Sequence, residues 1–162
     1  QGSPAQMAYF QEFFEKYTGV FSWHDRLQTE AVTFKRLTTA TGRQFDFPDC
    51  QRQHNGTANY KTQIVNYPVQ SVATAEIVPL GVILLHKKMK KLSLKSVVVN
   101  TVHDSVVIDT HPDEEDIINE IGPQCLLDAQ QEALDRFGLD TYIPLDVEMS
   151  HGKNWMQQEE YA

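Results

Sequence analysis

The chain has 162 residues, 41% of them hydrophobic, enough for a domain with a real core. Its 14 Lys plus Arg against 22 Asp plus Glu give a formal net charge of −8, which argues against a surface that is basic throughout, the usual footprint of a nucleic-acid binder. No apolar stretch approaches the roughly 18 residues of a membrane span, the N-terminus shows no signal-peptide pattern, and Cys50 and Cys125 lack CxxC or Cys/His spacing, so no membrane partner and a reducing, cytoplasmic location are expected.

Ser3-Pro4-Ala5-Gln6 has the form of a capping box with proline at the first helical position. Met7, Phe10, Phe14 and Tyr17 follow at helical spacing and predict an amphipathic helix ending near Gly19. Trp23, Leu27, Ala31 and Phe34 repeat every three or four residues, which predicts a second helix over about 21–37. Residues 38–47 are β-prone around the turn dipeptide Thr41-Gly42, and residues 48–56 are polar and loop-like. Apolar density over 68–91, including Val72, Ile77, Leu80, Leu84 and Met89, predicts a buried helix kinked at Pro79, since proline removes a backbone hydrogen bond. Lys87, Lys88, Lys90, Lys91 and Lys95 read as the solvated basic end of that helix, with a phosphate clamp as the other reading.

Two β-branched runs, 97–102 and 106–108, flank His103-Asp104-Ser105 and predict a β-hairpin with a carboxylate at its tip. Pro112-Asp113-Glu114-Glu115 opens a further helix that Gly122-Pro123 is expected to interrupt and Gly138 to end. A final strand over about 143–149 is expected to rejoin the sheet, anchored by a buried Trp155. The sum is an α+β fold, an antiparallel sheet with a motif-bearing hairpin packed against helices.

A hairpin tip leaves a short side chain exposed but fixed, and Asp offers the hard anionic oxygens that Mg²⁺ prefers; a turn-stabilising role for Asp104 is the alternative. Asn66 and Gln70, four apart, project from one helix face, where amides can meet the acceptors common to all base pairs in the minor groove; helix capping is the plainer alternative. Arg43 lies in the 38–47 turn, suited to a phosphate or to a surface ion pair.

Taken in order, several segments are similar to the C-terminal part of family A DNA polymerases, the group of bacterial DNA polymerase I and many phage replicative enzymes. They are Phe14-Glu15-Lys16-Tyr17-Thr18-Gly19-Val20, Thr41-Gly42-Arg43, Asn66-Tyr67-Pro68-Val69-Gln70-Ser71, Val102-His103-Asp104, and Pro144-Leu145-Asp146-Val147-Glu148 with Gly152-Lys153-Asn154-Trp155. The resemblance, which favours the phage type, implies a palm-type sheet and a division into helices (1–37), a turn and loop region (38–60) and palm (61–162). It implies DNA-directed nucleotidyl transfer at a two-metal Mg²⁺ site, with Asp104 as a metal ligand and His103 at the primer terminus. It further implies that Asn66, Gln70 and Arg43 contact DNA. Implied partners are primer-template DNA, deoxynucleoside triphosphates and the remaining fingers, thumb and palm; the setting is the host cytoplasm if the gene is a phage's. The family's second metal-binding Asp and its nucleotide-gripping fingers helix have no match in these residues, so the segment alone is expected to be inactive. Ser105 stands where the family usually has an acid. A non-catalytic palm-derived binding module, the palm of a single-subunit phage RNA polymerase, and a small metal-dependent phosphoesterase are the other readings.

Overall fold

A computed structural model describes residues 3–139 and 143–160; the side chains of Pro4, Ala5 and Gln6, expected as part of a capping box, lie outside what is described, as do those of Ala73 and Glu160. Helices and small antiparallel sheets alternate along the chain, an α+β fold as the sequence predicts. The chain divides into two compact units, Gln1–Val69 and Gln70–Ala162, each with apolar clusters of its own.

In the first unit, helix α1 spans Pro4–Lys16 and helix α2 spans Thr18–Phe34, with Tyr17 off helical geometry between them (φ −114°, ψ 57°). The expected end near Gly19 therefore moves forward to Tyr17, and α2 stops at Phe34 because Lys35 turns left-handed (φ 57°). Strands β1 (Arg36–Thr38) and β2 (Gln44–Asp46) pair antiparallel around the predicted Thr41-Gly42 turn, in which the Gly42 N–H donates to the Thr39 carbonyl at 2.9 Å. The core joins Ala31 of α2, Leu37, Phe47, Cys50 and Ala58 to Ile64 of helix α3 (Lys61–Gln70). Gln28 is buried and satisfied at both ends, accepting from the Ala58 N–H at 3.0 Å and donating to the His24 carbonyl at 3.2 Å. This ties the polar 48–60 loop to α2 without an orphaned polar group.

The second unit begins with a π-helical segment, Ser71–Ile77, that leads into helix α4 (Val78–Lys91). The winding widens to π just before Pro79, whose ring would otherwise meet the carbonyl of the preceding turn, and the helical axis bends earlier than expected, between Gln70 and Thr74. Strands β3 (Val97–Val102) and β4 (Ser105–Asp109) form the predicted hairpin, with a bulge between Val98 and Asn100. A short 3-10 turn (Pro112–Glu114) precedes helix α5 (Glu115–Phe137). The core sits between α4 and α5 and under the hairpin: Leu85, Met89, Ile118, Ile121 and Cys125 are buried, with Val98, Val106 and Ile108 packed against them.

Three expectations for this unit are corrected. Gly122-Pro123 does not interrupt α5, which runs unbroken to Phe137 and ends at left-handed Gly138. A residue before proline avoids helical geometry largely because its Cβ meets the proline ring, and Gly122 has no Cβ; buried Ile118, Ile121, Cys125 and Ala129 hold both halves on one packed face. No strand forms over 143–149; instead the Gln130 side chain on α5 donates to the Ile143 carbonyl at 2.8 Å and accepts from the Leu145 N–H at 3.2 Å, occupying backbone groups that a ladder would need. The last strands, β5 (Ser150–Asn154) and β6 (Gln157–Glu160), pair only with each other among the described residues, so the fold carries three two-stranded sheets. Trp155 is not a buried anchor: it lies in the β5–β6 turn, 57% exposed. Gly152 is needed there, because a Cβ would run into the Gln157 backbone carbonyl of the facing strand.

Candidate catalytic and nucleic-acid-binding site

Val102 pairs with Ser105, which leaves His103 and Asp104 as a two-residue loop. His103 has positive φ (54°) and Asp104 does not. Histidine tolerates this left-handed conformation better than most residues but still at some cost, and backbone strain of this sort gathers at functional sites. The Ser105 hydroxyl donates to the Val102 carbonyl at 2.9 Å and closes the turn. The residue in the family's acidic position thus has a structural task here, one that the local sequence pattern does not reveal.

Asp104 is exposed, and among the described residues its carboxylate makes no hydrogen bond or ion pair. It is held by the turn, not by side-chain partners, which leaves both oxygens available to a ligand. No group of three or more His, Cys, Asp or Glu side chains that could hold a metal ion occurs among the described residues. Asp104 therefore fits the role of one hard ligand to a divalent cation, and the remaining ligands would come from substrate, water or residues elsewhere.

The root of the hairpin is fixed by a carboxylate that the sequence pattern marks only as part of a helix's first turn. Glu114 accepts from the backbone N–H of Lys95 (2.8 Å) and of Ser96 (2.8 Å) and from the Ser96 hydroxyl (2.6 Å). The Ser96 hydroxyl oxygen in turn accepts from the His111 N–H at 3.0 Å. The residues just before β3 and just after β4 are thereby tied to the same carboxylate. The Ser96 hydroxyl, with help from the Lys95 N–H, holds the Glu114 carboxyl at about 2, well below the usual carboxylate range. The spacing Ser96 to Glu114 carries no periodic signal, so only the fold reveals the pair.

Of the other expected site residues, Asn66 and Gln70 lie on α3, four apart and exposed, with both side-chain amides unengaged among the described residues. Neither amide is used as a helix cap. Ring contacts fix the neighbouring Tyr67, whose centroid lies 5.1 Å from Phe45 and 6.2 Å from Phe47. Arg43 precedes β2, its N–H donating to the Thr39 hydroxyl at 3.1 Å and its carbonyl accepting the Thr39 N–H at 2.9 Å, so its backbone is pinned while the residue stays exposed. His103 and Asp104 share one tip in the second unit, while Arg43 and Asn66 belong to the first.

Comparison with known proteins places these features in context. The model of DNA polymerase family A matches residues 3–157. The chain is 28% identical over 150 residues to the DNA polymerase I of Caldicellulosiruptor bescii and 26% identical over 150 residues to that of Lactococcus lactis subsp. lactis, in both cases over 92% of this chain and 16% of the relative. The chain thus spans about a sixth of these relatives. Among solved structures, it resembles the POL domain of Pol1 from M. smegmatis in complex with DNA primer-template and dNTP, with a TM-score of 0.65 and 19% identity over 76% of this chain and 22% of that one. That last likeness speaks for the fold.

Proposed function

The chain belongs to DNA polymerase family A, and from that premise we propose that it is a fingers and palm portion of a DNA-directed DNA polymerase, with residues 61–162 as palm. The observation that carries the reading is the Asp104 carboxylate, exposed and unengaged on a two-residue tip whose root is locked by Glu114. Its partners would be primer-template DNA, deoxynucleoside triphosphates and the rest of the polymerase.

In this reading Asp104 is one of the carboxylates that hold two divalent ions, and a bound Mg²⁺ pair would supply charge stabilisation at the attacking and leaving oxygens of nucleotidyl transfer. A second carboxylate and the groups that grip the triphosphate come from outside these residues. The chain's own contribution is positional. His103 lies beside Asp104 on the same exposed tip, within reach of a primer terminus that meets the ligand. Asn66 and Gln70, amides on one helix face, donate to the acceptors that every base pair shows in the minor groove and so respond to pairing geometry without reading sequence. Arg43, held by its backbone, offers a guanidinium to a phosphate.

Asp104→Ala in the complete polymerase carrying this segment is the test. Incorporation should fall by about 10³-fold or more, since an ion's charge stabilisation amounts to several kcal/mol, while primer-template affinity stays unchanged. Incorporation that survives the substitution removes Asp104 from the metal site.

A further inference from the structure

The positive charge of this acidic chain is gathered on one helix end. Between Ile77 and His103 there is no Asp or Glu, yet the stretch contains Lys87, Lys88, Lys90, Lys91 and Lys95, five of the 14 basic residues of the chain. All five are exposed, as is His86. Leu85 and Met89 face the core, and at 100° per residue Lys87, Lys90 and Lys91 fall together on the opposite side of α4, with Lys88 at its flank.

Helix-dipole complementarity accounts for a cation or two in a last turn, but not for five lysines left without counter-ions. Three arginines elsewhere are ion-paired, Arg36 with Asp46, Arg52 with Asp25, and Arg136 with Glu132. Among the described residues, no carboxylate lies within ion-pair distance of Lys87, Lys88, Lys90, Lys91 or Lys95. Unpaired like charges on one face repel one another, and an anionic partner relieves that repulsion.

The patch is also separate from the hairpin tip. It lies where α4 turns into β3, at the root, and six residues of strand at about 3.3 Å each put roughly 20 Å between root and tip. We propose that this lysine face is a second nucleic-acid contact, a sequence-independent site for the phosphate backbone of DNA outside the region served by Asp104. The choice of nucleic acid as the anion rests on the polymerase reading; the presence of an anion site rests on the charges alone. Such a site would add affinity and hold flanking DNA without taking part in the chemistry.

The test is binding of the 162-residue chain to a short fluorescent DNA duplex across a salt series, with Lys87→Gln/Lys90→Gln/Lys91→Gln compared with the parent and with the corresponding triple arginine variant. Each phosphate that a lysine no longer neutralises flattens the plot of log K against log salt by about 0.9, so the glutamine variant should show a slope shallower by about 2 to 3 and weaker binding at low salt, with the arginine variant restoring both. An unchanged slope in the glutamine variant, or a parent that does not bind the duplex, overturns the proposal; binding of an acidic polypeptide in place of the duplex also overturns it, in favour of a protein partner. Helicity by circular dichroism checks that the variants remain folded. The metal-ligand reading is tested separately, by incorporation with Asp104→Ala in the complete polymerase, so failure of the lysine site and failure of that reading give different results.

Discussion

His103 holds its left-handed backbone (φ 54°) only because strand pairing on both sides demands it. An L-residue gives up about 1–2 kcal/mol in that region, whereas glycine avoids the clash but loses more chain entropy on folding. His103→Gly is therefore expected to unfold within about 1 kcal/mol of the parent, while His103→Val, β-branched and stiff, should lose about 1–2 kcal/mol. Urea denaturation of the two variants measures this, and a valine variant as stable as the glycine one would show that the turn is not under strain. Choosing histidine over the cheaper glycine makes sense where the imidazole itself is wanted. The cysteines tell the opposite story. Burial pushes both the Cys50 and the Cys125 thiols up, away from the reactive thiolate, so each serves as a small apolar core group, as their isolated spacing in the sequence suggests.

At the scale of elements, the α4–α5 pairing carries the hairpin, and Gly81 of α4 packs directly against Leu126 of α5. A Cβ there would collide with a terminal methyl of Leu126 and lie 3.4 Å from the Leu126 Cα. Gly81→Ala can be absorbed in part by movement of the leucine, but Gly81→Val cannot, and the valine variant should lose about 1–3 kcal/mol, seen as a lower midpoint in thermal melts. These helices are legible in the sequence because their apolar residues recur with the helical period, and the hairpin because β-branched runs flank a short polar turn. The departures from expectation share one cause. Gly122-Pro123 carries a local breaking signal that a long packed face overrides, and 143–149 has a strand-like composition whose hydrogen-bonding groups are taken by Gln130, a residue of another element. Trp155 departs for a similar reason: its turn is built by Asn154, which accepts the Met156 N–H at 3.0 Å, and needs no buried ring. Of the site, the tip residues follow from local pattern, while the Glu114 lock joins residues 18 apart and has no local signature.

Over the whole molecule, charge sets the response to acid. The chain carries −8 near neutrality. Glu114 stays ionised well into the acid range, since its folded value of about 2 lies below the ordinary 4.5. A carboxyl depressed on folding contributes stability that is complete above its unfolded value and disappears as the pH falls through the folded one. The stability difference between the parent and Glu114→Gln should then be constant above about pH 4.5 and shrink toward zero as the pH approaches about 2. Denaturation at a series of pH values reads this directly, and a difference that is flat across the window would remove Glu114 as the lock on the hairpin root. The attachment of the 143–149 segment has a different kind of fragility. A ladder spreads attachment over many residues and survives the loss of any one, but here two backbone bonds converge on the single amide of Gln130, supplemented by Leu145 against the core. Much of the polar hold on that stretch is thus encoded at one codon of α5, a small mutational target whose drift would loosen a neighbouring region without altering a letter of that region's own sequence.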